Sequence, residues 1–177
     1  MEISVLADSE LSGIERSEID LVCEEAFSAN PGENNPSFDL QWVPEKDWHA
    51  VVKINGIIVS HIGIVERTGT VDGRPVKLGG IGGVATLPGM QKRGLATDAM
   101  QMAAGFMQDS LKVDSGLLVC SRETARFYRK LGWQEITGPV MFDQPQGKVT
   151  YREVTMILPC VKKEWPPGTI DLCGLPW

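Results

Sequence analysis

The residues best placed to do chemistry lie in one stretch, Gly79–Ala96: Gly-Gly-Ile-Gly-Gly-Val-Ala-Thr-Leu-Pro-Gly-Met-Gln-Lys-Arg-Gly-Leu-Ala. An apolar run leads into a loop, and the loop opens an amphipathic segment. The first N–H groups of a helix have no internal partner, and the helix dipole adds partial positive charge beside them. Gly94, in Gln91-Lys92-Arg93-Gly94-Leu95-Ala96, has no side chain to block a close approach. The combination predicts an anion cradle suited to a pyrophosphate, with Lys92 and Arg93 adding charge toward outlying phosphates. The glycine spacing does not fit a dinucleotide fingerprint, and no Gly-Lys-Ser/Thr follows, so the nucleotide P-loop is excluded.

Other polar residues have two readings each. Tyr128 carries a phenol that could donate a proton, or could pack under a sheet. His61 could act as a base near neutrality, but the plainer reading of both His61 and His49 is structural. Glu66 ends a strand, and Glu33 and Asp39 sit in or beside the breaker-rich loop Asn30–Pro36, where they could bind an ammonium.

The elements that must position these groups follow from spacing. Glu2–Ala7 alternates as a first strand, and Ser17–Ser28 carries apolar residues at helical spacing. Trp48–Ile54, Ile57–Glu66 and Val76–Leu87 are β-rich runs joined by Asn55-Gly56 and Asp72-Gly73, which predicts a three-stranded antiparallel meander. Leu95, Ala99, Met102, Ala103 and Phe106 make an apolar stripe on a helix from about Gly94 to Asp109. Ser115–Ser121 reads as a strand buried on both faces, and Glu123–Leu131 as a helix stopped by Gly132. Pro139–Asp143 and Val149–Leu158 are expected as a final strand pair, and Pro159–Trp177 as an extended tail. The order gives an α/β fold with a mixed sheet and helices on it.

At 177 residues, 42% hydrophobic and 23% charged, the chain has the size of one domain. No apolar run approaches the roughly 20 residues of a membrane span, and Met1-Glu-Ile-Ser-Val lacks the basic start of a secretory signal, so a cytoplasmic location is expected. Cys23, Cys120, Cys160 and Cys173 form no Cys-x-x-Cys pair and there are two histidines, which argues against a metal site. The net charge of −6 argues against nucleic acid as a partner and suits a cationic small molecule, though it serves solubility equally.

Gln91-x-x-Gly94-x-Ala96, together with Ala125-x-Phe127-Tyr128-x-x-x-Gly132-Trp133, resembles the GNAT superfamily of N-acetyltransferases. The resemblance implies a mostly antiparallel central sheet of about seven strands with helices on both faces and a splayed strand pair. It implies acetyl-CoA as cofactor, held by Val84, Ala85, Thr86, Gln91, Lys92, Arg93, Gly94, Leu95 and Ala96. By the same resemblance the Val84 N–H polarises the thioester carbonyl and Tyr128 protonates the thiolate. A narrower likeness is to the aminoglycoside 2'-N-acetyltransferases, through His49-Ala-Val-Val, Val71–Ala96 and a final tryptophan. It implies that residues 160–177 reach the acceptor site, with Trp177 and its carboxylate beside the acceptor amine. That family has a glutamate two residues before the valine, where this chain has Gly82; Gly83, Asp39 and Glu153 complete the implied acceptor set. The expected reaction is acetyl transfer to a primary amine of a small acceptor. Polyamines, amino acids and protein N-termini are alternative acceptors, a non-catalytic acyl-CoA sensor is the alternative from another class, and a homodimer is compatible with the sequence.

Overall fold

The computed structural model describes residues 1–28, 40–161 and 164–177. The loop acids Glu33 and Asp39 lie outside the described residues. The chain runs β1 (Glu2–Ala7), α1 (Gly13–Ser28), β2 (Trp48–Ile54), β3 (Ile57–Val71), β4 (Arg74–Thr86), α2 (Leu95–Asp109), β5 (Ser115–Cys120) and α3 (Arg122–Lys130). It continues through β6 (Gln134–Ile136), β7 (Val140–Gln144), β8 (Gly147–Thr150), β9 (Val154–Pro159) and β10 (Ile170–Asp171). All ten strands join one sheet, against the expected seven or so, because the short β6, β8 and β10 carry too few residues to show a period.

The expected meander forms. Asn55 and Gly56 have φ of 53° and 81°, and Asp72 and Gly73 have 47° and 76°, as the tight hairpin turn requires. Each hairpin then departs from simple pairing through a bulge. On β3 Val59 is extra, so Val52 faces Ser60 while Lys53 faces Ile58. On β4 Gly83 and Val84 together oppose Ile62, since Ala85 faces His61 and Gly82 faces Gly63.

Helices cover both faces, as expected. Ile19 and Val22 of α1 pack with Val51, Ile58 and Ala85 on one face. Leu95, Ala99, Ala103 and Met107 of α2 and Ala125 of α3 pack with Ala50, Val52, Ile62 and Ile64 on the other. Helix α1 begins earlier than its apolar spacing suggests because Ser12 and Glu15 form a capping box: Glu15 accepts from the Ser12 N–H at 2.8 Å, and Ser12 Oγ accepts from the Glu15 N–H at 3.3 Å.

The expected final pair, Pro139–Asp143 with Val149–Leu158, is corrected. The second run breaks at Tyr151–Glu153; β8 pairs with β7, while β9 pairs with β5 and β6. Alternation shows which residues share a face but not that a chain has crossed to a new partner.

The tail adds β10, antiparallel to β3 and parallel to β7, and ends with Trp177 buried in the sheet's second core beside Leu78, Leu117 and Ile157. The indole N–H donates to the Leu117 carbonyl at 3.1 Å. The Arg67 guanidinium lies 5.2 Å from the ring centroid and donates to the Leu175 carbonyl at 2.5 Å. The Val43 N–H donates to the Pro176 carbonyl at 2.7 Å. The indole occupies the place where a side chain at residue 80 would stand. Gly80→Ala is therefore expected to lower folding stability by about 1–3 kcal/mol, as overpacking does. Denaturant unfolding checks this; an unchanged midpoint would show that the tail is not seated against Gly80.

Candidate active site

The site is built where β4 parts from β5. These strands run parallel, and their pairing covers only Leu78–Gly80 against Ser115–Leu117. Beyond Gly80, β4 continues to Thr86 and β5 to Cys120 with no pairing between them. On the other side of β4, the bulge takes Gly83 and Val84 out of the pairing with β3. Val84 thus belongs to neither register. Gly83, with φ of 61°, supplies the left-handed conformation that the bulge needs. A backbone segment with free N–H and C=O groups on a sheet is a ready partner for a peptide-like ligand arm, and a free N–H can stabilise charge developing on a carbonyl oxygen.

The loop after β4 forms the cradle. Thr86 and residues 90–92 and 94–97, with Phe127 of α3, line a cleft of about 240 Å³. Gln91 Nε2 donates to the Thr86 carbonyl at 3.3 Å and ties the loop to the strand end. The Thr86 hydroxyl is itself held by Ser60 Oγ at 2.8 Å. Gly94 is the N-cap of α2, with φ of 84° and no side-chain cap, so the first helical N–H groups face the cleft without an internal acceptor. Among the described residues, nothing beyond its chain neighbours lies within 4 Å of where a Gly94 side chain would begin. Lys92 and Arg93 are exposed beside it. These features fit an extended ligand with a pantetheine-like arm and a pyrophosphate: an unpaired strand edge for the first, an open helix N-terminus for the second.

The structure thus brings Thr86, Gln91, Lys92, Gly94, Leu95 and Ala96 into one cleft, with Val84 and Ala85 on the strand that leads into it. Met90, Thr97 and Phe127 line it as well and were not singled out from the sequence; Phe127, adjacent to Tyr128 in the matched helix motif, was the readable signal.

Tyr128 is buried among Cys120, Trp133 and the α2 residues, with its ring 6.3 Å from that of Trp133. Burial, with the Cys120 thiol nearby, pushes its phenol well above the ordinary value, so it holds its proton throughout the working pH range.

The acceptor-side residues divide. Trp177 and Gly82 come together: the main-chain carbon and oxygen of Trp177 lie 2.7 and 3.0 Å from where a Gly82 Cβ would be. Lys46 joins them, its Cε 3.5 Å from that same point and its aliphatic stem over Gly63. Its ammonium donates to the Val43 carbonyl at 2.8 Å, and burial lowers its pKa. Nothing in the sequence marked Lys46. Glu153 stands apart, next to the Cys120 end of β5 and across that strand from β4. Glu66 pairs with Lys77 at 2.5 Å. Among the described residues no cluster of His, Cys, Asp or Glu could hold a metal, and no helix is long and apolar enough to cross a membrane.

The family model for the Acetyltransferase (GNAT) domain matches residues 14–136, which span α1, the meander, the cradle and α3. The chain belongs to this family of acetyltransferase domains. Solved structures share the fold. Eis1 from Mycobacterium abscessus is similar over 75% of this chain, at 18% identity and a TM-score of 0.57, and this chain spans only 31% of its length. Escherichia coli ElaA matches over 89% of this chain and 98% of its own, at 16% identity and a TM-score of 0.60. A GNAT family acetyltransferase from Brucella melitensis, solved in complex with acetyl-CoA, matches over 96% and 94%, at 15% identity and a TM-score of 0.61. No curated protein matches the sequence.

Gly94→Asp tests the cradle. Aspartate tolerates the left-handed conformation better than most residues, so the fold should survive. Its charge at the open helix N-terminus should weaken acetyl-CoA binding by at least about 2 kcal/mol, roughly 30-fold. Calorimetric titration checks this, and unchanged affinity would remove the pyrophosphate from Gly94.

Proposed function

We propose that this domain transfers an acetyl group to the primary amine of a small cationic acceptor, by direct attack in a ternary complex. The observation that carries the reading is Val84, which the bulge and the splay leave outside both strand pairings at the mouth of the cleft. Acetyl-CoA supplies the activated acyl group as a thioester. The Val84 N–H donates to the carbonyl oxygen as negative charge builds there. The cradle at Gln91–Ala96 holds the phosphates, and the open strand edge at Val84–Thr86 orients the arm. Tyr128, kept protonated by burial, donates to the departing sulfur. Gly83 leaves space on the acceptor face, and the Trp177 main-chain oxygen, seated where a Gly82 side chain would stand, can accept from the incoming ammonium.

An aminoglycoside 2'-amino group is the specific acceptor that the sequence resemblance suggests, and the net charge of −6 favours a cation. Lys46 favours a second acceptor, an amino acid or peptide N-terminus. A half-buried lysine whose Cε lies beside Gly82 repels a polycation and could pair with a carboxylate adjacent to the reacting amine. The four free cysteines suit the reducing compartment that either reading assumes.

Coenzyme A release should be measured with acetyl-CoA and, separately, tobramycin, spermidine, phenylalanine and a short unblocked peptide. Turnover with tobramycin or spermidine supports the cationic acceptor, and turnover confined to phenylalanine or the peptide transfers the assignment to the second reading. No release above the amine-free rate with any of them would remove the small-amine assignment. Tyr128→Phe keeps the ring and its packing but loses the donor. It should lower kcat by about 10²–10⁴-fold while acetyl-CoA affinity holds. Wild-type turnover in that variant would make Tyr128 a packing residue.

A further inference from the structure

The two histidines of the chain, His49 and His61, are both buried and lie in one hydrogen-bonded line. Arg16 holds the Asp8 carboxylate through two contacts of 2.8 and 3.0 Å. Asp8 Oδ1 is 3.1 Å from His49 Nε2, His49 Nδ1 is 2.9 Å from His61 Nε2, and His61 Nδ1 is 3.1 Å from the Gly83 carbonyl. The line begins at the partly exposed Asp8 and ends on the β4 bulge, one residue before Val84.

Proton counting shows what this line lacks. Its two ends, an ionised carboxylate and a carbonyl, can only accept. Three links need three protons, and two neutral imidazoles carry two. Arg16 keeps Asp8 ionised, so Asp8 claims the His49 Nε2–H. His49 Nδ1 then accepts from His61 Nε2–H, and the shortage falls on His61 Nδ1. Among the described residues, the Cys23 thiol, at 3.6 Å and held protonated by burial, is the one donor that can partly fill it. The line is one proton short, and the shortage lies at its active-site end.

That end is open. A side chain at residue 83 would begin 3.5 Å from His61 Cε1 and 3.7 Å from Nδ1, and no other described atom beyond its chain neighbours lies within 4 Å of that point. The paired residues Gly63 and Gly82 both face Lys46, and Ala85 pairs with His61, so the imidazole lies on the acceptor face.

We propose that His61 is the base that deprotonates the acceptor amine and that His49 and Asp8 pass its proton to solvent. The proposal rests on the acetyltransfer reading above and supplies the base that Gly82 cannot. The acceptor ammonium gives one proton to His61 Nδ1, and His61 gives its Nε2 proton to His49 Nδ1. His61 is then a neutral ring whose new N–H donates to the Gly83 carbonyl, and His49 is an imidazolium against the Asp8 carboxylate. The neutral amine attacks; the C–N bond forms, the C–S bond breaks, and the sulfur leaves with the electron pair. The nitrogen's second proton goes to the sulfur, directly or in exchange with Tyr128. One proton in all reaches the relay, and His49 releases it at Asp8. Burial, the facing His49 and Lys46 push His61 down to about 3, so it is neutral at any working pH and takes the amine's proton only as its own Nε2 proton passes to His49. Burial lowers the pKa of His49, and Arg16 and Lys46 act in the same direction, while the Asp8 carboxylate opposes them, so the imidazolium is a transient carrier that Asp8 stabilises; Asp20 acts on the line through Cys23 and Arg16.

The test has an acceptor-independent arm. With only two histidines, ring 15N spectra assign directly. At pH 7.5 both neutral rings should carry their proton on Nε2; an Nδ1 proton on His61 would overturn the relay whatever the enzyme acetylates. In the kinetic arm the acceptor is whichever of tobramycin, spermidine, phenylalanine or the peptide the wild type turns over. His61→Gln should lower kcat about 10²-fold at pH 7, narrowing toward pH 10 as the amine arrives neutral, with acetyl-CoA affinity unchanged. Asp8→Asn, at the surface, keeps the test decisive should His61→Gln fail to fold. It removes the charge that holds the proton on His49, so kcat should fall about 10-fold while its acid limb moves to lower pH. Profiles parallel to wild type in both variants, or in Asp8→Asn alone if the other unfolds, overturn the proposal. A wild type that acetylates none of the amines fails the function itself, which the spectra distinguish from failure of the relay.

Discussion

Everything in the site depends on β4 losing its partners on both sides within a few residues. Backbone N–H and C=O groups inside a sheet are normally all paired, and leaving them open costs free energy unless water or a ligand completes them. Pairing with β5 ends at Gly80, and pairing with β3 lapses at Gly83 and Val84. The surrounding structure is stiff enough to hold the gap: β5 is secured by β9 along its full length, and β3 follows β4 across most of its own. The strand is therefore shaped for a guest with peptide-like groups, and the helix N-terminus at Gly94 lies where the charged end of that guest would fall.

The same gap explains the glycines. Gly80 and Gly82 have no room for a side chain while Trp177 is docked, so the tail and the glycine-rich half of β4 are complementary surfaces. Trp177 is held by a hydrogen bond to Leu117, by Arg67 against the ring and by the Val43 N–H on the preceding Pro176 carbonyl. Arg67 has to be desolvated to stack there, which lowers its pKa, and a cation against an indole recovers about 0.5–1 kcal/mol or more. The tail thereby covers the stretch of β4 where it parts from β5 and leaves the far end of the gap to the cradle.

On the α1 face, the site has a polar interior of unusual depth. Two buried imidazoles, a lysine and a thiol gather beneath the bulge. Buried polar groups persist when they are bonded to one another, and no described buried side-chain nitrogen or oxygen lacks a partner. The cluster meets the surface at Asp8 and Arg16, so the electrostatics of the acceptor face are linked to the junction of β1 and α1.

The sequence by itself determined what short-range chemistry can encode. Asn55-Gly56 and Asp72-Gly73 specify tight turns because both positions need positive φ, and the meander follows. The Gln91–Ala96 cradle was legible because an open helix start needs only a glycine and a strand before it. Only the tertiary structure decided which faces the key side chains share. In an unbroken hairpin closed at Asn55-Gly56, His49 would face Ile62 and His61 would point to the opposite side. The extra residue Val59 shifts the register by one, so His49 faces Gly63 and the two rings meet. A second extra residue frees Val84 in the same way. Neither bulge has a local signature strong enough to read, because a one-residue slip is set by packing against the helices above and below. The placement of Lys46 and Trp177 over Gly82 is a contact between segments more than 30 residues apart in each case, and no periodicity records such a contact.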